Sequence, residues 1–151
     1  MEVREDTYRQ IESPHYGTLT VPEREIYRFE NGLIGLPQSR EFALVPFPDT
    51  PFYLLHAVEG GLSFVVMPPS LVMENYEFEI PDELAESLGL RFPEQALTLV
   101  IVNIVDDRPC VNLKAPIILV PGSRKACQYI LHDRDFPIRY PLGKESSTCS
   151  S

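Results

Sequence analysis

Fifteen prolines are spread through the 151 residues of this chain, about twice the usual share. Proline locks φ and has no amide hydrogen, so it is excluded from helix interiors and from the middle of a sheet. The prolines are dispersed, so they do not form a proline-rich linker. They punctuate many short segments, which is the pattern of β structure with edges and loops.

The segments between them agree. "YGTLTVP" (16–22) alternates and stops at Pro22, and "EIYRFE" (25–30) follows it. "FALVPF" (42–47), "FYLLHAV" (52–58) and "LSFVVMP" (62–68) are aromatic and β-branched, and "EGG" between the last two reads as a hairpin turn. "YEFEI" (76–80) alternates strictly, with Tyr76, Phe78 and Ile80 on one side and Glu77 and Glu79 on the other. "LTLVIVNIV" (97–105) is almost wholly apolar and reads as a strand buried on both faces. One segment, "PDELAESLGL" (81–90), reads as a short helix: proline and acids open it, Leu84 and Leu88 share a face, and Gly89 stops it. Eight to ten short strands at spacings near 10 residues predict a mainly β chain, a single domain over residues 1–142 that is a closed or nearly closed antiparallel barrel or a sandwich. The Ser-rich tail 143–151 is expected to fray.

At this length folding buries roughly two thirds of the chain surface, so a core forms without staples. The net charge of −9 repels phosphate and argues against direct nucleic-acid binding. It suits solubility, or a partner that is itself basic. Cys110, Cys127 and Cys149 are odd in number and contain no CxxC, the N-terminus is polar, and no apolar run reaches the ~18 residues of a membrane span. A reducing cytoplasm with free thiols is the expectation.

Chemistry-bearing motifs are sparse. His15, His56 and His132 form no HxH or HxxxH pair; His132 with Asp133 and Asp135 reads as a solvated turn, as does Asp106-Asp107. There is no GxSxG, and "GLIGLP" lacks the lysine of a phosphate loop. Cys127 reads as a buried thiol. The carboxylates Glu74, Glu77, Glu79, Asp82, Glu83 and Glu86 read as a solvated acidic face, or as a docking surface for a basic partner. A binding protein is favoured over an enzyme. The alternatives are a small-ligand or hydrolytic barrel, which a deep polar-lined pocket would mark, and a subunit of a larger assembly, which a large apolar patch would mark.

The stretch "NLKAPIILVPGSRKACQYIL" (112–131) places a lysine and a proline inside what is otherwise two buried strands. Pro116 marks either a corner between strands, with Asn112 and Gln128 satisfying backbone groups there, or an open edge to which a partner segment adds.

That stretch resembles the "NLxAPI…Q-x-[IV]-L" signature of the flagellar assembly factor FliW family. "FENGLIGLP" (29–37), "PFYLLHAVEGGLSFVVMPP" (51–69), "YEFEIPDE" (76–83) and "FPIRYPL" (136–142) resemble further segments of that family in the correct order. Gly32, Gly35, Asn112, Pro116 and Gln128 fall on its signature positions. Ile34, Leu36 and His56-Ala57 depart from the common pattern. The resemblance implies a cytoplasmic, barrel-like protein without enzymatic activity; a monomer without a cofactor is the expectation. Family members bind newly made flagellin. When freed, they bind the RNA-binding translational regulator CsrA and release flagellin translation from repression. On that reading Glu74, Glu77, Glu79, Asp82 and Glu83 face CsrA. Phe52, Leu54, Leu113 and Ile117 are candidate walls of an apolar groove for an amphipathic flagellin helix, and each is equally a candidate core residue.

Overall fold

The computed structural model describes residues 7–36, 38–132 and 134–142. The segment 143–151, including Cys149, and Asp133 lie outside the described residues. Strands β1 (Tyr8–Ser13) and β2 (Gly17–Pro22) form a separate hairpin. The remaining strands are β3 (Ile26–Phe29), β4 (Glu41–Pro46), β5 (Tyr53–Ala57), β6 (Ser63–Met67), β7 (Leu97–Val105), β8 (Arg108–Val111), β9 (Ile117–Val120), β10 (Lys125–Gln128) and β11 (Tyr140–Pro141). They make one sheet in the order β11-β8-β7-β6-β5-β4-β3-β10-β9, and β9 returns to pair with β7. The seven strands from β7 round to β9 thus close an antiparallel barrel, as expected. A closed ring with an odd number of strands cannot alternate direction throughout, so one pair must run parallel. That pair is β3–β10, joined through Lys125↔Arg28 and Ala126↔Phe29.

Strand parity sorts the side chains. Phe29, Phe42, Leu55, Val66, Leu99, Ile117 and Leu119 point inward and are fully buried. Phe29 and Phe42 meet edge to face with ring centroids 5.3 Å apart, the arrangement aromatic quadrupoles prefer. The intervening residues point outward, yet most of them are buried as well. The β1–β2 hairpin lays Ile11, Leu19 and Val21 over Ile26, Ala43 and Val45. Residues 78–90 lay Phe78, Ile80, Leu84 and Leu88 over Ile118 and Val120. Two layers outside the barrel explain why so many segments are apolar on both sides.

Helix α1 (Asp82–Leu88) begins after Pro81, carries Asp82 and Glu83 in its first turn, and ends at Gly89 with φ +72°. That left-handed cap favours glycine, and a Cβ there would lie 3.2 Å from Ser123 Cβ. The "EGG" and Asp106-Asp107 turns are hairpins as expected. Asp106 and Asp107 both have positive φ, 55° and 65°, the geometry of a two-residue turn matched to strand twist.

Three sequence expectations are corrected. Residues 76–80 alternate as predicted but form no strand: they lie extended on the barrel, held by side chains rather than by a backbone ladder. β7 is buried on both faces only at Leu99, Val100 and Ile101; Asn103 and Ile104 are exposed where the β7–β8 hairpin leaves the barrel. β1 is a full strand inside an N-terminal stretch whose sequence shows mostly charge.

Leu99→Ala removes an inward side chain with no exposed area and is expected to cost about 3 kcal/mol in urea unfolding. Ile104→Ala, at 67% exposure, is expected to change stability by less than about 0.5 kcal/mol. Burial pushes the Cys127 thiol up to about 11 from its ordinary 9.0. At pH 8 its alkylation should therefore be about 100-fold slower in the native protein than in urea, measured by mass spectrometry of the Cys127 peptide.

Candidate partner-binding surfaces

The signature residues come together at one corner. β8 and β9 both pair with the same edge of β7: Val111 lies opposite Val102 and Ile117 opposite Leu99. Between these pairings the chain takes six residue steps while β7 takes three, so 112–116 is an excursion from what would be a single strand. Asn112 keeps the ladder through its amide to Ile101 O (3.0 Å). Its Oδ1 then accepts from the amides of Lys114 (3.0 Å) and Ala115 (3.2 Å), which have left the ladder. Pro116 has no amide to satisfy, and its carbonyl accepts from Tyr129 N (2.9 Å).

Gln128 joins this corner to a second loop. Its Nε2 donates to Ala115 O (3.2 Å), and its Oε1 accepts from Ile34 N (3.0 Å). Ile34 sits in a tight turn between Gly32 and Gly35, whose φ angles of 67° and 83° favour glycine. Gly32, Gly35, Asn112 and Gln128 are therefore one hydrogen-bonded assembly, and Pro116 is buried within it. The corner reading holds. The open-edge reading fails, because the carbonyls of Lys114, Ala115 and Pro116 are taken by Leu131, Gln128 and Tyr129.

Beside the corner lies an apolar cleft of about 290 Å³, with Ile34 and Ile138 at its rim. Asn112 Oδ1, both ends of the Gln128 amide and Lys114 Nζ are already bonded to backbone atoms. The polar groups that a ligand needs for orientation are thus spent on the fold. Among the described residues no group of His, Cys, Asp and Glu is arranged to hold a metal ion, and no helix is long and apolar enough to cross a membrane.

The acidic candidates Glu74, Glu77, Glu79, Asp82 and Glu83 are all exposed. They form a ridge anchored from below. Tyr76 packs on Phe136 (4.7 Å between centroids) and on Phe78 (5.8 Å), and Phe78 packs on Tyr129. Tyr76 Oη donates to Leu113 O at 2.7 Å, and burial holds its hydroxyl well above the usual tyrosine range. The carboxylates project outward because the aromatics between them are pinned inward.

The apolar candidates divide. Leu54, Leu113 and Ile117 are at most 2% exposed; they belong to the core and wall no groove. Leu113 and Ile117 lie on opposite sides of the sheet, in different clusters. Only Phe52 borders an open surface. It lines a groove of about 520 Å³ with Phe47, Val65, Val102, Ile104 and Leu142. This groove runs across the outer faces of β6, β7 and β8. Strand parity could have located it: if Leu99 and Ile101 face in, Val102 and Ile104 face out.

The groove and the ridge share a border. Phe52, Val102 and Leu142 pack in the same outer cluster as Val72, Met73 and Tyr76, and Glu74 and Glu77 flank that segment. Around the groove, the turns at 47–52 and 105–108 contribute Asp49, Asp106 and Asp107 against one cation, Arg108.

A family model described as "FliW protein" matches residues 10–142. The chain belongs to the FliW family. A flagellar assembly factor FliW from Caldicellulosiruptor saccharolyticus is 36% identical over 135 residues, covering 87% of this chain and 89% of that protein. The FliW of Bacillus subtilis is 30% identical over 140 residues, covering 90% and 98%. A crystal structure of the flagellar assembly factor FliW superposes with a TM-score of 0.81 at 29% identity, covering 90% of this chain and 98% of that one. The family match spans β2, the barrel and the corner, and most of β1.

Asn112→Ala strands two amides, and Gln128→Ala frees one amide and one carbonyl. Each should lower the unfolding free energy by about 1–2 kcal/mol, read from urea midpoints at unchanged slope.

Proposed function

We propose that this chain is a flagellar assembly factor that binds flagellin as a cytoplasmic chaperone. When free of flagellin it binds the translational regulator CsrA and relieves repression of flagellin synthesis. Family membership over residues 10–142 carries the flagellar part of this reading. The observation that supports its two arms is the pair of adjoining surfaces, one apolar and one acidic, on an otherwise closed barrel.

The apolar groove suits an amphipathic helix of flagellin. Among the described residues no element covers the apolar area that Ile104 and Phe52 offer, and helix-in-groove recognition uses such a surface. Asp49, Asp106 and Asp107 favour basic residues flanking the helix's apolar face.

The acidic ridge suits CsrA, whose RNA-binding surfaces are basic. A chain of net charge −9 held against that regulator both pairs with it and raises the cost of nearby phosphate. Antagonism then needs no occupation of the RNA site itself.

The shared border supports exclusion between the partners. A helix seated along Phe52, Val102 and Leu142 would crowd the segment that carries Glu74 and Glu77.

Isothermal titration tests the two arms separately. Glu74→Lys/Glu77→Lys/Glu79→Lys should weaken CsrA at least about 10-fold and flatten its salt dependence. Ile104→Ser should weaken flagellin by about 10-fold, or about 1.4 kcal/mol, and leave CsrA within about 2-fold. Indifference of CsrA to both charge reversal and salt would overturn the acidic-ridge reading. Indifference of flagellin to Ile104→Ser would overturn the groove.

A further inference from the structure

The coverings of the barrel exterior leave a gap. The β1–β2 hairpin covers Ile26, Ala43 and Val45, and residues 78–90 cover Ile118 and Val120. Between them runs the parallel seam of β3 and β10, and cations wall it. Two clefts of about 530 and 250 Å³ open on either side of Arg28 and Glu41, which belong to both. Together the clefts hold five cationic side chains, Arg9, Arg28, Arg40, Arg124 and Lys125, against three carboxylates, Glu23, Glu41 and Glu59. In a chain of net charge −9 this is a local inversion of sign.

The charges are not all neutralised in place. Arg9 holds Glu23 through two hydrogen bonds (2.9 and 3.0 Å) and lies 3.6 Å from Glu41. That one cation accounts for two of the three carboxylates. Arg124 and Lys125 hydrogen-bond neutral carbonyls, Glu23 O at 2.5 Å and Ser87 O at 3.4 Å, and Arg124 shares the Glu23 carboxylate with Arg9 through space only. Arg28 and Arg40 are exposed, and among the described residues their guanidinium groups make no hydrogen bond or ion pair.

The backbone holds these residues in a fixed array. Arg28 N donates to Arg124 O (2.9 Å), Lys125 is the register partner of Arg28, and Phe29 N donates to Arg40 O (2.6 Å). Arg124 itself sits at φ +60°, a region unfavourable for a long side chain and held here by the turn bond from its amide to Val120 O.

We propose that this strip, Arg28 and Arg40 flanked by Arg124 and Lys125, is a docking site for an acidic polypeptide segment. Two unengaged guanidinium groups present planar forks to carboxylates. The cleft that holds both has an apolar side chain at Val58 and neutral polar groups at Gln38 and Ser39, which suit a peptide. A nucleic acid is the poorer fit: its dense phosphates would meet Glu59 and the negative field of the whole chain. The strip lies on β3 and at the starts of β4 and β10, apart from the groove on β6–β8, and it stands whichever partners those surfaces take.

The test is fluorescence anisotropy on the full chain with a labelled 12-residue peptide of alternating Glu and Ala. A single-stranded 12-nucleotide RNA is titrated in parallel. Saturable peptide binding that weakens with salt is expected. Arg28→Glu/Arg40→Glu should weaken it at least about 10-fold, and Arg139→Glu, the same kind of charge change elsewhere, by less than about 2-fold. Thermal melts confirm folding, and Arg28→Gln/Arg40→Gln replaces the double reversal if that variant unfolds. No saturable binding, equal weakening by Arg139→Glu, or tighter binding of the RNA than of the peptide would each overturn the proposal.

Discussion

The whole barrel depends on how one edge of β7 is shared. That edge pairs with β9 over Leu97–Leu99 and with β8 over Val102–Val105. The first pairing closes the ring; the second carries the hairpin that projects beyond it. Both are possible only because the chain leaves the ladder at 112–116 and rejoins it. An excursion of this kind takes partly buried backbone groups out of the ladder, and each one left without a partner would cost about 1–3 kcal/mol. The Asn112 carboxamide oxygen covers two of them, Gln128 Nε2 covers the Ala115 carbonyl, the amides of Leu131 and Tyr129 take the carbonyls of Lys114 and Pro116, and Pro116 removes a donor altogether. Side chains supply what the interrupted ladder cannot. The lysine and proline that looked out of place in two buried strands mark the point where one strand is divided.

Much of this was legible in the sequence, and the losses have identifiable causes. The apolar run 97–105, bounded on both sides, coincides with β7, and the proline, acids and glycine of 81–90 bracket α1. The Asn112–Gln128 corner followed from a proline where a ladder should be. Strand alternation assumes that one face is solvated, and it failed where two layers cover the barrel. Leu54 lies on the outer side of the sheet yet is 2% exposed, so its type gives no sign of its side. Residues 76–80 alternate because their aromatics anchor them, which produces the period of a strand without its hydrogen bonds. The parallel pair β3–β10 follows from closing a ring of odd number, which only a count of the closed strands reveals.

Coverage of the barrel also decides what is left for partners. Where the hairpin and residues 78–90 lie, the exterior is core. Where they do not, the described residues leave surfaces of different character, among them an apolar groove over β6–β8, a carboxylate ridge beside it, and a cationic strip along the β3–β10 seam. The first two meet at the cluster of Phe52, Tyr76, Val102 and Leu142. A partner on either surface changes the space left for a partner on the other. On the proposed function, this geometry would turn two binding activities into a switch without any change of fold, because steric overlap alone would supply the coupling.

That coupling is tested most directly by forming the complex with flagellin, adding CsrA in excess, and measuring the mass of the species by light scattering after size exclusion. Adjoining surfaces predict two binary complexes and no ternary one, with flagellin displaced as CsrA rises. A stable ternary complex of one copy of this chain with both partners would contradict the shared border. It would place at least one partner elsewhere on the barrel.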